Sequence, residues 1–67
     1  MKLQINGELV DVPDSVSTVS ALLEHFGLQS KIVMIEHNRT ILAKELHSTQ
    51  ALQDQDQIEI VQFVGGG

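Results

Sequence analysis

Only one stretch of this 67-residue chain carries a helical repeat, and that restricts it to a few architectures. Val19, Leu22, Leu23 and Phe26 stand at i, i+3, i+4 and i+7, a single apolar helical face. A lone helix must bury that face against a sheet. The remaining apolar residues alternate or run in short blocks, as strands do. A chain this short is one domain and buries only about 60% of its unfolded surface. Its hydrophobic fraction of 42% suits one compact core, and with no cysteine that core must hold by packing alone.

Residues Lys2 to Val12 read as a hairpin. Leu3 and Ile5 alternate with Lys2 and Gln4, and Asn6-Gly7 supplies the two positive-φ positions of a tight turn. Ile5 then faces Glu8, which sets Val10 and Val12 on the Leu3/Ile5 face and leaves Leu9 outward. Pro13 ends the second strand because it has no amide hydrogen to donate. Ser15, Ser17 and Thr18 are candidate helix caps. A helix over about Thr18 to Phe26 follows, and Gly27 sits where a left-handed C′ residue belongs.

Ile32 to His37 is a continuous apolar run, which predicts a strand buried on much of both faces. Asn38-Arg39 is a turn, and Thr40 to Ala43 a short edge strand. Lys44 to Gln53 is polar and irregular, with room for a helical turn. Asp54-Gln55-Asp56 is turn chemistry. Gln57 to Val64 is the last strand, with Ile58 and Ile60 on one face and Glu59, Val61 and Phe63 on the other. As the most apolar strand it belongs in the centre, beside the first.

The order β-β-α-β-β-β is that of a β-grasp (ubiquitin-like) α+β fold, a mixed sheet of about five strands packed on one helix. The expected division is a domain over residues 1–64 and a flexible glycine tail over 65–67.

The formal charge is −5. Lys2, Lys31, Arg39 and Lys44 are scattered, so no basic footprint for nucleic acid is expected. An acidic surface suits solubility or a basic protein partner. Neither a signal peptide nor a membrane span is legible, and a cytoplasmic location is expected. His25, His37 and His47 lack metal-ligand spacing, and each is expected at the surface or half-buried. Asp54 and Asp56 are expected to satisfy local backbone amides. No catalytic residue, metal ligand or bound cofactor is expected, and so short a chain has little material to wall off a pocket.

What remains is the end of the sequence. An apolar strand runs almost to Gly65-Gly66-Gly67. Three extended residues reach roughly 10 Å, enough to enter another protein's cleft. Glycine has no Cβ, so such a tail can thread a narrow channel. A terminal carboxylate is ionised at pH 7 and a poor electrophile, so a partner would have to activate it. Val61 and Phe63, with Met34 nearby, are candidates for an exposed docking patch.

Across its whole length the sequence resembles ThiS, the family of sulfur carriers of thiamin (thiazole) biosynthesis. The resemblance lies in Leu3-Gln4-Ile5-Asn6-Gly7, in Thr18-Val19-Ser20-Ala21-Leu22-Leu23, and in Ile32-Val33-Met34-Ile35-Glu36-His37-Asn38. It is narrowest in Asp56-Gln57-Ile58-Glu59-Ile60-Val61-Gln62-Phe63-Val64-Gly65-Gly66-Gly67. Two turns depart from the family pattern: Asn-Gly is usual where Asn38-Arg39 stands, and Asp-Gly-Asp where Asp54-Gln55-Asp56 stands.

The resemblance implies a carrier and not an enzyme. An adenylyltransferase resembling ThiF would activate the Gly67 carboxylate with ATP. Sulfur originating from a cysteine desulfurase would convert it to a thiocarboxylate, and thiazole synthase would take that sulfur. Gly66 and Gly67 carry over as the functional tail, with Gly65 as spacer. Without cysteine the chain cannot hold sulfur as a persulfide, which leaves the terminus. The alternatives are a related β-grasp carrier for molybdopterin synthesis and an interaction module whose tail does nothing.

Overall fold

The computed structural model describes residues 1–63, which form a five-stranded mixed sheet, one α-helix and one 3-10 turn. The strands are β1 (Lys2–Ile5), β2 (Glu8–Asp11), β3 (Val33–His37), β4 (Thr40–Leu42) and β5 (Gln57–Gln62). The helix α1 spans Val19–His25, and the 3-10 turn spans Lys44–Leu46. Their order in the sheet is β2-β1-β5-β3-β4, with β5 central as expected. It runs parallel to β1 and antiparallel to β3.

The first hairpin has the expected register, with Ile5 opposite Glu8 and Leu3 opposite Val10. Asn6 and Gly7 take φ of 50° and 85°. The Asn6 carboxamide also reaches the central strand, donating to the Ile60 carbonyl at 3.2 Å and accepting from the Ile60 amide at 2.7 Å. It thereby prolongs the β1–β5 pairing past the end of β1.

Thr18 is the helix cap, its hydroxyl accepting from the Ala21 amide at 3.1 Å. Gly27, at φ 72°, closes the other end. Its amide donates to Glu24 at 3.0 Å, and that of Leu28 donates to Leu23 at 2.7 Å. This is the paired arrangement that satisfies the last helical carbonyls. Val19, Leu22 and Leu23 pack on Leu3, Ile5, Ile35 and Ile58. Phe26 stays half-exposed because it lies at the cap, past the last turn that faces the core.

Four expectations need correction. First, β3 is buried on one face only. Ile35 is fully buried, but Met34 is exposed and Ile32 precedes the strand, also exposed. The helix covers a single face of the sheet, so an apolar run on a central strand does not imply two covered faces. Second, His47 is buried, because residues 47–52 fold back on the helix N-terminus. There the Ser20 amide donates to the His47 carbonyl at 2.9 Å and the Leu52 amide donates to Ser17 at 2.9 Å. Third, Asp54 bonds a distant amide, that of Lys2 at 2.6 Å, and not a local one. Fourth, β2 and β4 each stop one residue short of their expected ends, at Asp11 and Leu42, and β5, expected to run on through Phe63, stops at Gln62.

Candidate functional site

The face of the sheet turned away from the helix is uncovered. Val61 and Phe63 lie on it, opposite to the buried Ile58, as strand alternation requires. Cross-strand pairing sets Met34 beside Val61, and the Phe63 amide donates to the Ile32 carbonyl at 3.0 Å. Ile32, Met34, Val61 and Phe63 thus form one apolar patch at the end of β5, each at least 41% exposed. Ile41, on β4 opposite Glu36, extends it towards the sheet edge. Large apolar side chains gathered on one open face are the usual mark of a protein-docking surface.

The expected trio Met34, Val61 and Phe63 is therefore brought together. Ile32 and Ile41 belong with it and were not singled out by the sequence. Strand pairing alone could have found Ile32, since it occupies the position opposite Phe63. Ile41 needed the β3–β4 register.

The same face changes character away from the patch. Glu36 and Glu59 stand directly opposite each other on β3 and β5. Like charges at opposed positions cost stability, so this pair weakens the sheet where it stands. It gives the apolar patch an acidic flank.

A polar cluster locks the start of β5. The Asp56 carboxylate is buried and lies 2.8 Å from His37 Nε2. It also accepts from the Gln53 amide at 2.9 Å and from Asn38 Nδ2 at 3.2 Å. Burial alone would raise its pKa, but these hydrogen bonds outweigh burial and hold the carboxyl below the usual range. Asn38 Oδ1 in turn accepts from the Gln57 amide at 2.9 Å. The Asp56 carboxylate and the Asn38 carboxamide bond members of this same cluster. It fixes where β5 enters the sheet.

Gly65, Gly66 and Gly67, together with Val64, lie outside the described residues. Among the described residues no group of three His, Asp or Glu side chains is placed to hold a metal ion, and no helix is long and apolar enough to cross a membrane. The clefts at the surface are open to solvent. One of them, about 450 Å³, is a groove between Phe26, Leu28 and the Asn6 turn.

Comparison with known proteins agrees with this architecture. The ThiS family model matches residues 3–67. The chain is 45% identical to the sulfur carrier protein ThiS of Bacillus subtilis over 65 residues, covering 97% of this chain and 98% of that protein. A thiazole synthase of Paramagnetospirillum magneticum is 45% identical over all of this chain, in a match that takes up 20% of that protein. The crystal structure of the thiamine biosynthesis protein ThiS from Geobacter metallireducens superposes with a TM-score of 0.82 at 32% identity, covering all of both chains.

Proposed function

This chain belongs to the ThiS family of sulfur carriers of thiamin biosynthesis, and from that premise we propose that its cargo is loaded on the Gly67 carboxylate. An adenylating partner resembling ThiF uses ATP for the first step. The carboxylate attacks the α-phosphorus, pyrophosphate leaves, and an acyl-adenylate forms. Sulfur originating from a cysteine desulfurase then displaces AMP, attacking as a persulfide to give an acyl disulfide, and a second thiol reduces the S–S bond, forming a disulfide of its own and leaving the thiocarboxylate. Thiazole synthase accepts that sulfur. The chain supplies no catalytic group and binds no cofactor of its own. It acts in the cytoplasm as a co-substrate of its partners.

The observation that carries this reading is the position of the apolar patch. Ile32, Met34, Val61 and Phe63 gather where the central strand approaches the three glycines. A partner that grips this patch would receive whatever lies at the following residues, because β5 is anchored on both sides by β1 and β3. The acidic flank of Glu36 and Glu59 suits a partner with basic side chains beside its apolar groove. The match to a thiazole synthase over the full length of this chain supports that enzyme as the acceptor.

Intact-mass spectrometry tests the reading. After incubation with ATP, the adenylating partner and a sulfur source, the chain should gain the mass of one sulfur-for-oxygen exchange. A variant lacking Gly66 and Gly67 should remain folded and gain nothing. An unchanged mass of the intact chain, with a partner shown to be active, would overturn the proposal.

A further inference from the structure

A second cavity lies between α1, the loop after it, the start of β3 and the 3-10 turn. Its volume is about 250 Å³, and its wall includes His47, Lys31, Lys44, Ser20 and Gln29. The His47 side chain is 8% exposed, and its Nε2 is buried with no hydrogen-bond partner. A buried polar atom left unpaired costs about 1–3 kcal/mol, so its persistence calls for a cause. The residue is anchored through its main chain. Its backbone is held on both sides, the amide donating to Lys44 at 3.1 Å and the carbonyl accepting from Ser20 at 2.9 Å.

The charge around this cavity runs against the rest of the chain. The protein carries −5 overall and has four basic residues. Two of those four, Lys31 and Lys44, meet here from distant parts of the sequence. Neither takes part in any ion pair among the described residues, although Glu24 shares the wall. Leu23 and Val33 add an apolar side that lowers the local dielectric and strengthens whatever polar contacts form. Two ammonium groups, joined by a hydroxyl, a carboxamide and an imidazole, outnumber the one carboxylate of the wall, that of Glu24. A liquid-water share of about 30 Å³ per molecule leaves room for a small oxyanion and part of its hydration.

We propose that this cavity binds a phosphate-class oxyanion, with Lys31 and Lys44 supplying charge and the His47 ring forming the buried polar side of the wall. The cavity's wall also includes Ile32, so the site adjoins the apolar patch at that edge. The proposal does not depend on the sulfur-carrier reading, and its test needs no partner enzyme.

Two-dimensional ¹H–¹⁵N NMR of the full chain reads it directly. Titration with sodium phosphate, and separately with AMP, is compared with sodium chloride at matched ionic strength. Saturable shifts are expected at the amides of Ser20, Lys31, Val33 and His47, with a change in the His47 ring nitrogens. Tighter binding of AMP would identify the phosphoryl end of a nucleotide as the ligand, and equal or weaker binding would identify the free anion. The double variant Lys31→Gln, Lys44→Gln should weaken binding by about tenfold, the factor that two exposed charge contacts supply together. Lys2→Gln, on the other side of the sheet, should not. His47→Gln reports on the buried contact if it folds, and the lysine variants decide the matter if it does not. Shifts no larger than those from chloride, shifts spread over the whole surface, or a double variant that binds like the parent would each overturn the proposal.

Discussion

Truncating Phe63 to alanine should separate docking from folding. Phe63 is 52% exposed. A phenylalanine side chain buries roughly 150–250 Å² when fully covered, so about 100 Å² remains for a partner to cover. At about 25 cal/mol/Å² that surface is worth about 2.5 kcal/mol, or an increase of about 60-fold in Kd at the upper limit. Alanine keeps one carbon of the side chain, and the partner can relax around it. A measured loss of about 10- to 60-fold is the expected range. The cost to folding is smaller, since the ring stands on the uncovered face and outside the core cluster. Surface truncations of this kind cost about 0.5 kcal/mol, which moves the Tm of a domain this size by about 2–4 °C. Leu3→Ala provides the contrast. Leu3 is fully buried, and its truncation should cost about 2–5 kcal/mol. Calorimetric titration against thiazole synthase gives Kd, and a circular-dichroism melt gives Tm. The reasoning fails if Phe63→Ala binds with unchanged Kd, or if it loses stability on the scale of Leu3→Ala.

Two further outcomes follow from the turns and from the Asp56 cluster. Arg39 and Gln55 take φ of 70° and 74°, a left-handed conformation that costs a side-chain-bearing residue about 1–2 kcal/mol. Arg39→Gly and Gln55→Gly should each stabilise by about 0.5–1 kcal/mol after the entropy of the unfolded glycine is subtracted, and a higher urea midpoint would show it. A lower midpoint would mean that these side chains hold the turns. The second outcome concerns acid. Asp56 has a folded-state pKa below its unfolded value of about 3.9, so its stabilisation is complete above that value and is lost as pH falls through it. Asp54, bonded to the Lys2 amide, is depressed in the same direction. Urea midpoints should therefore fall below about pH 4. Asp56→Asn should start from a lower midpoint at neutral pH and decline less, whereas parallel curves would refute the assignment.

Much of the candidate docking patch could be read from residue order. The alternation of Ile58 and Ile60 against Val61 and Phe63 placed the last two outward before any fold was known. Asn6-Gly7 and Gly27 marked a tight turn and a helix end because left-handed backbone is cheap only for a few residue types. The family pattern of glycine at two other turns also had its counterpart. The residues standing there, Arg39 and Gln55, adopt the backbone glycine would have taken.

The apolar run Ile32–His37 predicts burial on much of both faces and has it on one, because periodicity reports which residues share a face, not how many faces are covered. The number of covering layers is a property of the whole molecule, and a single short helix can cover one face of a five-stranded sheet. The same limit applies to Asp54, whose amide partner Lys2 is 52 residues away, and to the meeting of Lys31, Lys44 and His47 around one cavity. Local sequence determined conformation, strand alternation and the capping of the helix, because those depend on neighbouring φ/ψ and side-chain sterics. Tertiary structure alone decided what is covered, what is left open for a partner, and which distant charges become neighbours, because burial depends on where the other elements come to rest.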